Sequence, residues 1–434
     1  MNSKRFLLSC LFLCIVLCGC SSKIKSPDDS TLISIQVIDR NGFAETISTS
    51  DRLVRYQNTD FCAPQPYQKV LRVFGKTHEG KSPSYITSYH SNGHVWQYLE
   101  IIDGRAHGTY REWHLNGTQK MELNVIEGMA ELSEAALGSW VFDGVNRIWE
   151  ENGSLIAEIS YEKGMLQGDS LYYYLGGQLQ KKIPYLQNEV HGSLFCYHET
   201  GAIAETIPHL RGLRQGIATA YFADNTLCYE ETFDKGLLLE GRYYTKNGDL
   251  MSTISHGNGN RIEWITPLIR HSVQYQKGAP EGLVECFDEN GIIQVKYHQK
   301  DGKKHGEEWE YYPSTSPDAP LQPKLLLHWQ EDILQGIVKT WFPNGVQESQ
   351  KEMYQNKKNG QSLAWFSNGN LMLSEEYEKD LLLSGTYYKK GDKKPISRVT
   401  QGKGTATLYH SDGYLLHKIF YDKGAPSLDN DSSK

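Results

Sequence analysis

The sequence predicts an all-β protein: an elongated array of about fourteen antiparallel β-hairpin repeats of about 24 residues each, joined side by side into an open, single-layer twisted sheet. Three observations carry this expectation. Asn-Gly recurs between stretches that alternate as strands, at 116–117, 152–153, 290–291, 344–345 and 368–369, and that pair is a strong hairpin signal. Aromatic residues return at one fixed place before these turns. The composition, with 27 Tyr, 13 Phe, 9 Trp and 40 Gly, suits strands and tight turns and not helical bundles.

The chain opens with Lys4 and Arg5 and an apolar run from Phe6 to Leu17. That describes a secretory signal peptide, too short for a comfortable transmembrane span. Its end, Leu17-Cys18-Gly19-Cys20, resembles the lipobox of bacterial lipoproteins. The resemblance implies cleavage after residue 19 and lipid on the Cys20 thiol and amine. Two or more acyl chains anchor stably where one does not. Ser21 after the cysteine implies the outer membrane of a bacterial envelope. Residues 20–30 read as a polar tether, and loss of Lys4 and Arg5 would take the formal charge from −7 to −9.

Residues 31–83 are less regular and read as a degenerate N-terminal repeat or cap over an exposed sheet edge. They hold an Asn-Gly hairpin (35–48) and a strand (69–75). The array follows, its first half at 84–281 and its second at 282–427, with 428–434 read as a disordered tail. The halves are suggested by text repeated 144 residues apart, FDKGLLLEG (233–241) against YEKDLLLSG (377–385). EGMAELSEAALGSW (127–140) lengthens one repeat and has the composition of a short helix.

With the glycine nine residues before each turn glycine set as position 0, Gly108, Gly144, Gly168, Gly192, Gly216, Gly282, Gly336, Gly360 and Gly404 align, and Ser84 is a substituted copy. Position +5 is then Tyr89, Trp113, Trp149, Tyr173, Tyr197, Tyr221, Phe287, Tyr311, Trp341, Trp365 and Tyr409. Position +11 is mostly aliphatic, +17 often aromatic and +20 a turn residue. A type I turn closed by a G1 bulge pairs +5 with +11. Plain alternation along the strand then puts +5, +11 and +17 on one side, as one apolar face.

These Gly–aromatic–Asn-Gly units resemble the MORN-variant repeats, and the array from 84 to 427 is similar to proteins labelled YwqK-type antitoxins. The resemblance implies an extended antiparallel sheet serving as a scaffold or contact surface; the antitoxin label implies a cognate toxin as partner. The turn spacing departs from the eukaryotic MORN pattern.

The residues nominate no enzyme. There is no HExxH, nucleophile elbow or P-loop, so neither catalytic residues nor a metal or cofactor is expected, and a small-molecule substrate is not the expected ligand. The mild negative charge carries no basic surface for nucleic acid. Histidines at +6 (His90, His114, His198, His410) read as polar-face residues, and His107, His191 and His305 as turn residues. Cys62, Cys196, Cys228 and Cys286 show no metal spacing, and the sequence assigns them no pairs. The +5 stripe reads structurally as the glue of a thin sheet and functionally as a binding platform. The function expected is therefore that of a lipid-anchored, non-catalytic protein-interaction scaffold. Its partners are the membrane through Cys20 and a protein of unknown identity. An envelope glycan or lipid binder and an antitoxin-like neutraliser are the alternatives.

Overall fold

The computed structural model describes residues 31–427, except 267, 315 and 317. The expected signal peptide and tether, with Cys20, and the expected C-terminal tail lie outside the described residues. Contacts divide the chain into two units. One reaches Gln167 and takes in Leu175–Gly177; the other comprises Gly168–Tyr174 and everything from Gln178 onward.

Almost every element is a strand. In each unit the strands pair antiparallel with their neighbours in an open sheet that does not close into a barrel. At the N-terminal edge, Leu32–Ile38 lies between Ala44–Ile47 and Lys69–Phe74. The helix expected within 127–140 is the single turn Glu134–Leu137, capped by the Ser133 hydroxyl.

The hairpin follows the turn chemistry. In the copy at Gly336, the Phe342 N–H donates to the Val346 carbonyl at 2.8 Å and Gly345 takes φ +85°, a left-handed conformation that favours glycine. Trp341 then stands opposite Gln347, as Trp365 does Leu371 and Tyr197 does Ile203. The +5 to +11 pairing is as expected. The connection at +19 and +20 is a two-residue turn with both φ values positive, as at Lys235-Gly236 and Gln355-Asn356, the type I′ geometry that matches strand twist.

One expectation is corrected. Position +17 does not share a side with +5 and +11. The register shifts immediately after +11: Tyr221 faces Leu227, but Ala220 faces Tyr229, which leaves Cys228 at +12 as an unpaired bulge residue. An extra residue reverses the alternation that follows it. Positions 0, +2, +4, +13, +15 and +17 therefore share one face, and +1, +3, +5, +11, +14 and +16 the other.

Burial follows this division. The line of +2 and +15 residues forms the centre of the first face: Ile86, Leu99 and Tyr110 in one unit, and Ile183, Leu194, Ile207 and Ala218 in the other, are all buried. Phe233 and Tyr377 at +17 are buried beside it. We refer to this as the core face.

Candidate aromatic interface

The +5 aromatics occupy the face opposite the core line. Trp113, Trp149, Tyr173, Tyr197, Tyr221, Phe287, Trp341 and Trp365 are half-buried. Their neighbours on that face are largely charged or polar. Arg111 faces Glu122 with Nε to carboxylate at 2.7 Å, Arg147 faces Glu158 at 2.8 Å, and Lys182 meets Asp169 at 2.7 Å. Cations also lie on the rings themselves: the Arg270 guanidinium is 4.5 Å from the Phe287 centroid and the Lys296 ammonium 5.8 Å from that of Tyr311. Trp341 stacks on Trp309 at 5.8 Å and 24°. Rings paired in this way are stabilised by roughly 0.5–1.5 kcal/mol beyond area burial, while the outer parts of these side chains remain in contact with water.

Three members of the stripe are buried. Tyr89 lies beneath the segment 50–67, and its hydroxyl donates to the Phe61 carbonyl at 2.8 Å. Burial pushes that hydroxyl above the usual tyrosine range, although the nearby Arg72 charge acts the other way. Arg72 sits 4.6 Å from the Phe61 ring and 5.3 Å from that of Tyr85, joining this cover to the sheet. Tyr311 and Tyr409 are also closed off from solvent. The stripe therefore consists of eight half-exposed rings and three covered ones.

The +6 histidines have a role that their position alone does not disclose. His90 Nε2 donates to the Trp113 carbonyl at 2.9 Å, and His114 and His198 do the same to the carbonyls of Trp149 and Tyr221. Tyr174 and Tyr312 use their hydroxyls for the same bond. Each links +6 of one copy to the +5 carbonyl of the next. The +8 asparagines work in parallel: Asn92, Asn116 and Asn344 donate side-chain N–H groups to the +7 carbonyls of Leu115, Glu151 and Ser367, each at 2.9 Å. Backbone groups at these turns are thus satisfied from one copy to the next. His107 Nδ1 bonds the Ile126 carbonyl, whereas the Nδ1 atoms of His191 and His305 are buried without a partner.

No group of three or more His, Cys, Asp or Glu side chains placed to hold a metal occurs among the described residues. Cys62, Cys196, Cys228 and Cys286 are free thiols. Burial raises Cys62 and Cys196 to about 11 and Cys228 to about 12, so none is poised as a nucleophile near neutral pH. No helix among the described residues is long and apolar enough to cross a membrane.

Residues 142–163, 166–187 and 280–301 match the MORN repeat variant family. No curated protein matches the chain. Among solved structures, it matches a chain of the Tc holotoxin pore of Photorhabdus luminescens carrying the TccC3-D651A mutation. Identity is 11%, covering 90% of this chain and 28% of that chain, with a TM-score of 0.11. The protein therefore spans less than a third of that toxin chain, and so low a score carries no argument about fold or function.

Proposed function

We propose that the protein is a non-catalytic scaffold that binds protein partners through its +5 aromatic face and is held at a bacterial envelope membrane, the outer one, by lipid on Cys20. One observation carries the reading. Two aromatic rings of one unit and six of the other lie on the face opposite the core line, partly exposed and with charged residues among their neighbours. Partly exposed Trp and Tyr are among the side chains that carry most binding energy at protein interfaces. The MORN-variant matches support a repeat-built contact surface.

The test is cross-linked capture of the tagged full-length protein from intact envelopes, beside Trp341→Ala and Trp365→Ala. A discrete stoichiometric protein that both variants lose, with unchanged circular dichroism, is the expected result. Capture of glycan or lipid alone, or a partner indifferent to both changes, would overturn the reading. Separately, Cys20→Ser should move the protein from the membrane to the soluble fraction.

A further inference from the structure

In the N-terminal unit, Ile38, Lys69, Ser88 and Gln97 stand directly opposite one another across four strands, in one row on the core face. Over this row stands the segment Glu131–Ser133, held in place by the adjoining Trp140. That indole packs on Tyr110 at 4.8 Å and donates to the Met129 carbonyl at 2.9 Å. Between row and segment lies a cavity of about 440 Å³ that Trp96 also lines, within the range of small-molecule sites.

Trp96 is the +12 bulge residue of its hairpin, since Ser88 faces Gln97 while Tyr89 faces Val95. Bulges re-aim a side chain out of the alternation. The other copies carry Lys120, Ile156, Gln180, Ala204, Cys228, Gln294, Glu348, Met372 and Leu416 at +12, so this aromatic is particular to one copy. The indole is 42% exposed and steadied by the His90 ring, stacked at 5.6 Å.

The floor is polar and fixed in direction. Ser88 Oγ donates to Gln97 Oε1 at 3.1 Å, Gln97 Nε2 to the Tyr110 hydroxyl at 3.0 Å, and that hydroxyl to Glu112 at 2.8 Å. This relay orients the Gln97 amide and leaves it one N–H and one lone pair, with the Ser88 oxygen as a further acceptor. The charges at the rim, Lys69 and Glu131, are of opposite sign.

We propose that this cavity binds one neutral pyranose ring of a glycan. A pyranose presents a C–H face that packs on an indole and a rim of hydroxyls that both donate and accept, as Gln97 and Ser88 require. Opposed rim charges and an uncharged floor disfavour an anion or a cation. Of the +5 aromatics only the covered Tyr89 lines this cavity and none of the eight partly exposed rings does, so the proposal does not rest on the scaffold reading.

The test is tryptophan-fluorescence titration of the full chain with methyl glycosides of glucose, galactose, mannose and N-acetylglucosamine. Saturable binding on the order of 1 mM to at least one is expected. Trp96→Ala should weaken it by roughly tenfold or more, as loss of an aromatic anchor does, while Trp96→Phe retains most of it. Trp96 is partly exposed, so its loss spares the core. Gln97→Leu, which removes the floor's amide, should abolish binding, and Leu132→Ala, on the overlying segment, should weaken it should Gln97→Leu disturb folding. Trp341→Ala should bind sugar like the parent, separating this result from that of the interface. No saturation by any glycoside, unchanged binding in Trp96→Ala, or binding only of a charged probe such as inorganic phosphate would overturn the proposal.

Discussion

Glu231 and Glu375 occupy the same +15 place in copies 144 residues apart, both buried on the core face, yet they are satisfied differently. Each accepts from a tyrosine hydroxyl at 2.8 Å, Tyr243 and Tyr387 respectively. Glu231 also receives Arg261, with Nε at 2.6 Å and a second nitrogen at 3.2 Å. Burial alone would depress Arg261; the hydrogen bonds and charge of Glu231 outweigh it and raise it above the usual arginine range. At the matching register the second copy has Ala406. Glu375 instead takes a second hydroxyl, from Tyr377 at 3.1 Å, and no basic side chain among the described residues bonds it. One copy neutralises its buried charge with a cation, and the other disperses it over two phenols.

The largest effect expected is that of Arg261→Ala. It leaves Glu231, whose side chain has no exposed surface, without its cation, at a cost of about 3–5 kcal/mol. Hydrogen exchange should show the loss as early opening of Leu227–Asp234 and Leu237–Tyr244, with the strands around Glu375 undisturbed. A global loss of equal size in both copies would show that the two are not separable units of stability.

Glutamine exchanges sharpen the contrast. Glu231→Gln takes from Arg261 the more buried of its two carboxylates, leaving it only Glu263, and should cost about 2–3 kcal/mol, whereas Glu375→Gln keeps an acceptor for the hydroxyls and should cost about 1 kcal/mol or less. Denaturant midpoints of the two variants decide, and equal losses would count against the difference in charge pairing. Tyr243→Phe and Tyr387→Phe should each cost about 1–2 kcal/mol by leaving a carboxylate oxygen short of one donor. The Tyr243 change should be the smaller, because Arg261 Nε still bonds the same Glu231 oxygen, whereas Tyr377 bonds the other oxygen of Glu375.

The last effect appears only at alkaline pH and is absent near neutrality. Cys196 and Cys228 in the first copy correspond to Thr340 and Met372 in the second. Their folded thiols are raised to about 11 and about 12 from an ordinary 9. A raised value stabilises fully below the unfolded pKa, and that contribution is lost as pH climbs from about 9 through the folded values. Stability of the first copy should therefore fall between about pH 9 and 12, and Cys228→Met, which installs the second copy's residue, should flatten that limb. An unchanged alkaline limb in urea titrations would assign the loss to the tyrosines instead.

Much of the fold is legible from local chemistry. Asn344-Gly345 dictates a turn, the turn fixes Trp341 against its +11 partner, and the 24-residue spacing repeats the result. What escapes is the single residue at +12. A bulge has no composition of its own, since Trp96, Ala204 and Cys228 all serve, yet it sends Phe233 and Tyr377 to the face opposite Tyr221 and Trp365. The +2 and +15 line is equally hard to read, because its members include Glu231, Ser170 and Tyr110, joined by place and not by polarity. The bonds of the +6 histidines depend on the neighbouring copy. The +5 stripe is visible as a column, but which of its rings are covered depends on segments, such as 50–67, that carry no repeat signal.

The bonds at Asn92, Asn116 and Asn344 all run from +8 of one copy to the +7 carbonyl of the next, and each copy ends on the face where it began. The chain can therefore gain or lose whole 24-residue copies and still form a sheet with every side chain on its proper side. Excision of Gly336–Asn359 brings Gly360 to the place of Gly336 and should leave a folded, shorter protein, as judged by its circular dichroism per residue. Removal of one residue from within a strand should not. Surface length, and with it the number of sites presented, is open to change by whole units while the architecture stays closed to smaller edits.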